Sequence, residues 1–339
     1  PEVGTFIHYR LENVNRDICD RGGYGRVDRA ALRRLVHHYV DEYARTQIDG
    51  YAGKSARFRY LFSRLRETAC AIVENIADEM AVSDFRPVAF ELGFGGKDGQ
   101  LPAVTVTEGN TTLSVGGKVD RVDGWIKNGR LYLRVVDYKT GKKAFDLTDV
   151  RYGLGIQMLL YLFTLQKEGG AYFGRPVEPA GVLYMPARDI ILRADRAVPP
   201  DKLEDMLRRE RRTGMLLGEP EVLTAMEHSA LDAPCYLPVG TTKDGAVQGL
   251  LSSVVVNAAQ MGKMARYIDS LLHRVAREIG DGNIDADPCT RGPQDSACAW
   301  CAFQAACWFD ESRDKPHYLR KTTPEEFWQV VDREVEQHG

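Results

Sequence analysis

The feature that most constrains this chain is the dipeptide Asn128-Gly129, set between two strand-like runs. Asn-Gly favours a two-residue type I′ turn, because both central positions need positive φ. Such a turn fixes the pairing of its flanks. Without a bulge, Lys127 faces Arg130, and continuing outward, Asp120 faces Asp137. Directly opposed Cβ atoms lie roughly 4.5–5.5 Å apart, so two bare carboxylates there repel unless positive charge stands between them. Residues two apart share a strand face, which brings Lys139 to the same place. Leu131, Leu133 and Val135 share that face too, so the strand runs through a core and delivers its polar residues at its C-terminal end. Two acids and a lysine around a hard divalent cation, Mg²⁺ (or Mn²⁺), form an arrangement able to cut a phosphodiester: the metal acidifies a water and the lysine holds it. The same residues also allow a surface salt-bridge ladder, with Lys118 and Lys139 flanking the acids.

At 339 residues the chain can bury a sizeable core, as one large or two ordinary domains. Its net charge of −3 lacks the basic balance of a passive nucleic-acid coat, which leaves room for a local basic channel. No run of 18 apolar residues and no signal-peptide pattern occur, so a cytoplasmic setting without a membrane is the expectation.

Hydrophobic periodicity predicts helices from the first residues (Ile7, Leu11, Val14, Ile18), over 28–48 and over 55–82. Strands follow at 88–94, 111–126 and 131–140, then a helix over 147–167. A strand at 180–185 comes next, with a further one at 190–192. The remainder reads as helical over 200–212, 219–228 and 250–279, then a cysteine-rich loop at 288–309 and a tail helix from Pro324. The fold class is α/β, a small mixed sheet wrapped in many helices.

Four short motifs flank and include the hairpin: Gly4-Thr5-Phe6-Ile7-His8, Gly117-Lys118-Val119-Asp120, Asp137-Tyr138-Lys139-Thr140 and Gln157-Met158-Leu159-Leu160-Tyr161. In this order they resemble the RecB-type branch of the PD-(D/E)XK nucleases, with their G-x-x-x-H, G-x-x-D, D-Y-K-[ST] and Q-x-x-x-Y motifs. The resemblance implies a PD-(D/E)XK restriction-endonuclease-like core. It implies that Asp120 and Asp137 bind metal, that Tyr138 adds its backbone carbonyl, that Lys139 serves the water and that His8 lies near the metal. Gln157 and Tyr161 would line the DNA path. From the residues alone, Gly4, His8 and Glu12 share one helix edge, as suits a residue facing a cleft. His8 could equally be a boundary histidine, and Gln157 with Tyr161 a plain helix-face pair. Asp123 falls on the opposite strand face from Asp120 and reads as structural. Glu91 is an acid in a strand-like run whose approach to the site the sequence does not decide.

Cys298, Cys301 and Cys307 crowd into ten of the 339 residues, while Cys19, Cys70, Cys235 and Cys289 lie apart. C-x₂-C-x₅-C spacing suits zinc or an iron–sulfur cluster, both of which usually take four protein ligands. In AddB-type nuclease subunits and the related CRISPR-associated RecB-like exonucleases, such a triplet joins an upstream cysteine around a [4Fe–4S] cluster. No cysteine precedes Gly4 here, so the fourth ligand lies outside the chain or is a local thiol, Cys289 or Cys19.

The likeness to AddB-type subunits extends to Phe85–Gly95, to Pro179–Tyr184 and to Arg212–Leu217 with Pro220–Val222, the last resembling a helical insertion of that family. It implies a single nuclease domain with four parts: 1–84, helical with the histidine motif; 85–195, the core; 196–245, the helical insertion; 246–339, helical with the cysteines. It implies an exonuclease that processes double-strand DNA ends for recombinational repair beside an AddA-type helicase–nuclease, cutting the strand that ends 5′ at the break. A cluster-stapled DNA-end-binding scaffold and a standalone CRISPR-associated exonuclease are the alternatives. No Walker A motif is present, since Ile48 stands where the pattern of Gly53-Lys54-Ser55 needs glycine. The run Arg208, Arg209, Arg211, Arg212 reads as a solvated helix face or a phosphate contact.

Overall fold

The computed structural model describes residues 2–48, 50, 53–97, 99–141, 143–187, 199, 212–250, 253–292, 295–310 and 313–338, with side chains among them from 11 to 336. The chain divides into two compact units, one of residues 1–103, 116–145 and 158–261, the other of 104–115, 146–157 and 262–339.

The first unit is built on a six-stranded mixed sheet. Its strands are β1 (Arg86–Phe94), β4 (Gly117–Lys127), β5 (Arg130–Lys139), β6 (Val177–Pro186), β7 (Thr213–Leu217) and β10 (Val254–Val256). They lie side by side in the order β1-β4-β5-β6-β7-β10. β1, β4 and β5 pair antiparallel, β5 and β6 parallel, β6 and β7 antiparallel, and β7 and β10 parallel. A separate small hairpin, β8 (Val239–Thr241) with β9 (Val247–Gly249), precedes the last of these strands. β6 is buried at nearly every position, as a central strand covered on both faces should be. The unit's long helices are α1 (Glu2–Asp20), α2 (Arg29–Gln47), α3 (Ala56–Ala81) and α5 (Gln157–Phe173). Asp28 caps α2 by accepting from the Ala31 N–H at 2.7 Å, and Ser55 caps α3 by accepting from Phe58 at 3.1 Å.

Several elements differ from the periodicity reading. The helix expected over 147–167 is two, α4 (Leu147–Arg151) and α5, because Gly153 and Gly155 adopt φ of 76° and 63° between them. The strand expected over 111–126 breaks at Gly116 into β3 (Thr111–Val115) and β4, and β3 pairs with an unforeseen β2 (Val104–Glu108). Residues 213–217, taken by resemblance as part of a helical insertion, form strand β7, followed by α6 (Pro220–Met226). The helix expected from 250 begins at Ala258 as α7 (Ala258–Gly280), because Val254–Val256 extends the sheet as β10. The strand expected at 190–192 and all but Arg212 of the helix expected over 200–212 lie outside the described residues.

The second unit packs the β2–β3 hairpin against α7: Glu108 pairs with His273 at 2.9 Å and Arg277 at 3.6 Å. The tail helix α8 (Pro324–His338) sits on α7 through Lys263–Asp332 at 2.6 Å and an edge-on contact of Tyr267 with Phe327. A small sheet of β11 (Cys289–Gly292), flanked by β12 (Asp295–Ser296) and β13 (His317–Tyr318), carries the cysteine-rich segment. No helix among the described residues is long and apolar enough to cross a membrane.

Candidate active site

The turn at 128–129 has φ of 50° and 77°, as a type I′ turn requires. Its strands pair without a bulge from Lys127↔Arg130 to Arg121↔Val136. One residue further, the same register sets Asp120 opposite Asp137. There the backbone N–H of Tyr138 donates to Asp120 Oδ2 at 2.7 Å, and Lys139 Nζ pairs with Asp137 at 2.6 Å.

A third acid joins them. In β1, Phe90 pairs with Arg121 and Leu92 with Val119, which leaves Glu91 across from Asp120. Glu91 has a φ of 48°, a left-handed conformation that non-glycine residues adopt at a cost, and one that clusters at functional sites. Its carboxyl is raised above the usual range by burial and by the negative charge of Asp120, and Lys118 at 3.3 Å offsets part of this. The alternation pattern gave no warning of Glu91, because the pairing of β1 with β4 spans about thirty residues of chain and shifts register between Pro87 and Ala89. Both lysines of the imagined salt-bridge ladder do meet acids here: Lys118 meets Glu91 and Lys139 meets Asp137.

Behind this face lies a buried set of charges. Arg121, Asp123 and Arg134, each fully buried, share the opposite face of β4 and β5. Glu79 of α3 binds Arg134 at 2.9 Å and Arg212 at 2.6 Å, while Asp123 binds Arg121 and Arg134, each at 2.9 Å. Burial alone would raise the Glu79 carboxyl, but Arg212, Arg134 and Arg121 outweigh it and hold the group at about 2. Arg212 is therefore a core residue, not part of a solvated face. Arg121 donates to the Tyr138 hydroxyl at 3.2 Å, as does Asn15 of α1, also at 3.2 Å. Tyr138 thus ties α1 and β4 to the strand that carries Asp137. Asp123, read as structural, is so.

A family model described as the PD-(D/E)XK nuclease superfamily matches residues 1–308. The chain belongs to that superfamily. Three curated relatives share one name, which describes the B-type subunit of an ATP-dependent helicase/deoxyribonuclease. They come from Acetivibrio thermocellus (30% identical, covering 99% of this chain and 30% of the relative), Desulforudis audaxviator (32%, 98% and 28%) and Moorella thermoacetica (31%, 97% and 29%). The chain spans about three tenths of the length of the relatives it matches.

The remaining motif residues of this PD-(D/E)XK chain fall as follows. His8 lies within α1, and its side chain is outside the described residues. Gln157 is the first residue of α5, one turn before Tyr161. Tyr161, expected to line a DNA path, is buried instead, stacked on Phe94 with ring centroids 4.8 Å apart. It also explains the first glycine of G-x-x-D: a Cβ on Gly117 would stand 1.7 Å from the Tyr161 hydroxyl. Tyr184 of β6, aligned with Asp137, has its phenol pushed up to about 12 by burial and by the Asp137 charge. Lys139 and Lys143 each stand 5.9 Å from its ring centre.

For a metal, the donors near the acid pair are oxygens: two aspartates, Glu91 and the Tyr138 carbonyl. Among the described residues no three His, Cys, Asp or Glu side chains are gathered closely enough to hold an ion by themselves. Two carboxylates with main-chain and water oxygens nonetheless fit Mg²⁺, which keeps several waters and takes one or two carboxylates. Cys298 opens the turn that Cys301 closes, the Cys301 N–H donating to the Cys298 carbonyl at 3.2 Å, and Cys301 and Cys307 are exposed. Cys289 is half-buried on β11, beside the same segment. Cys19 lies in the other unit, and burial raises its thiol, which disfavours the thiolate a metal ligand needs.

Proposed function

We propose that this chain is the nuclease domain of an AddB-type helicase/deoxyribonuclease subunit, a metal-dependent hydrolase of DNA phosphodiesters. The single observation that carries this reading is the pairing of β4 with β5, which sets Asp120 opposite Asp137 with Lys139 beside them. The relatives' shared name supports it.

Asp120, Asp137 and the Tyr138 carbonyl would hold Mg²⁺ or Mn²⁺, with His8 and Glu91 completing the set. When bound, the metal acidifies a water and neutralises charge on the phosphate. Lys139 hydrogen-bonds that water and orients its lone pair toward phosphorus. In-line attack forms the new P–O bond and breaks the bond to the 3′ oxygen, which takes the proton, leaving a 5′-phosphate and a 3′-hydroxyl. Tyr138 holds Asp120 through its amide, and the buried arginines behind the sheet keep Tyr138 in place. Tyr161 supports the start of β4 by packing, with Gln157 on the same helix toward the DNA. The whole chain serves one nuclease domain, partnered in the cytoplasm by an AddA-type helicase–nuclease at the ends of duplex DNA, acting as an exonuclease in double-strand break repair.

Asp120→Ala, Asp137→Ala and Lys139→Ala are each expected to abolish Mg²⁺-dependent degradation of linear DNA while circular dichroism stays native. Undiminished cutting by all three overturns the reading. Cys298, Cys301 and Cys307 are proposed as three ligands of a [4Fe–4S] cluster. Anaerobically prepared full-length protein should absorb near 400 nm and lose that band in Cys301→Ser; a colourless wild type removes the cluster from the proposal.

A further inference from the structure

The first two turns of α3 carry an exposed face that the catalytic reading does not use. From Lys54 to Arg66 the chain holds Lys54, Arg57, Arg59, Arg64 and Arg66 and no Asp or Glu, in a molecule whose net charge is −3. Helical spacing i, i+3, i+4, i+7 lines up Arg57, Tyr60, Leu61 and Arg64. On that stripe Tyr60 is 63% exposed, Leu61 55%, and both arginines are exposed as well. The buried stripe is the neighbouring one, through Phe62, Ala69, Val73 and Ile76. At this end Asp41 of α2 pairs with Arg66. Arg57 and Arg59 point to solvent with Tyr60 between them.

Cations interleaved with an open aromatic ring are what a single strand of nucleic acid uses: guanidinium groups on phosphates and a ring under a base. Resting on the nuclease reading, we infer that this face of α3 is a track for single-stranded DNA, Arg57 and Arg59 contacting phosphates and Tyr60 stacking a base. An acidic protein segment would also meet the cations; the track commits to DNA because that is the substrate of the same unit. Along α3, Arg57 stands 22 residues from Glu79, which is bound to Arg134 behind the catalytic strands, or about 33 Å at 1.5 Å per residue. A strand held on the track and cut at the acids has to cover a span of that order, about ten nucleotides at 3.4 Å each. The track therefore favours cleavage of strands longer than about ten nucleotides.

The test compares Arg57→Gln/Arg59→Gln and Tyr60→Ala with wild type in the full-length protein, using oligothymidines of about 30 and about 6 nucleotides, one on each side of that span. Binding of the longer strand should fall at least fivefold in each variant. The double variant should also lower the slope of log affinity against log salt by about 1.4, for two phosphate contacts on a single strand. Cleavage of the short strand, which cannot reach from the track to the acids, should be unchanged. Equal losses of cleavage on both lengths, or no loss of binding on the longer one, overturn the track. If wild type cuts neither strand yet the long one binds through Arg57 and Arg59, the nuclease reading fails and the track stands.

Discussion

The amide of Tyr138 donates to Asp120 Oδ2 at 2.7 Å, so one acid of the pair is fixed by the strand that carries the other. Asp120→Asn keeps an acceptor for that amide but removes the charge. It should change the urea midpoint by less than about 1 kcal/mol of stability. Mn²⁺ binding by calorimetry should drop by more than about tenfold, the loss of one ionic ligand. Equal metal affinity in the two proteins would falsify the assignment of Asp120.

The Tyr138 hydroxyl accepts from two buried donors, Arg121 and Asn15. Tyr138→Phe leaves both without that acceptor, and should destabilise the fold by about 1–3 kcal/mol. Chemical denaturation reads this directly. An unchanged midpoint would mean that the two donors hold nothing through the hydroxyl.

Glu79 is held at about 2 against an ordinary 4.5, because Arg212, Arg134 and Arg121 outweigh the cost of burial. A carboxyl depressed on folding contributes stability that is fully present above its unfolded value and lost as pH falls through its folded one. The window is therefore from about pH 5 down to about pH 2, worth roughly 3 kcal/mol. Glu79→Gln should flatten stability against pH in that window. At neutral pH it should cost about 3–5 kcal/mol, since buried Arg212 would lose its carboxylate and Arg121 and Arg134 would share Asp123. A variant whose acid limb matches wild type would contradict this.

Glu91 combines a φ of 48° with a carboxylate facing Asp120. Glycine adopts that conformation freely, so Glu91→Gly should be more stable than Glu91→Ala by about 1 kcal/mol. Both should weaken Mn²⁺ binding alike. Thermal melts and titrations on the two variants separate backbone strain from charge; if alanine proves the more stable, the strain is absent.

How much was legible follows from how far apart the cooperating residues are. Asn128-Gly129 sets the β4–β5 register through two adjacent residues, so the opposition of Asp120 and Asp137 could be worked out by arithmetic. Glu91 was undecided because its place depends on a long-range pairing whose register shifts between Pro87 and Ala89. Asp123 read as structural from its strand face, but hydropathy cannot show that Arg121 and Arg134 neutralise it inside. Strand β7 was assigned to a helical insertion by resemblance, and Thr213–Leu217, short and apolar, fits either period and could not correct it. The side chain of His8 and the arginines 208, 209 and 211 lie outside the described residues.

The chain crosses between its two units five times, after residues 103, 115, 145, 157 and 261. Residues 104–115 and 146–157, both belonging to the second unit, bracket the acid-bearing strands on either side in sequence. A deletion that removed everything from 262 onward would not remove that unit. It would leave the two stretches that flank β4 and β5 in sequence, with Glu108 deprived of His273 and Asp149 of Arg291. Neither unit is a continuous stretch of chain, so no single cut in the gene excises one whole and leaves the other whole.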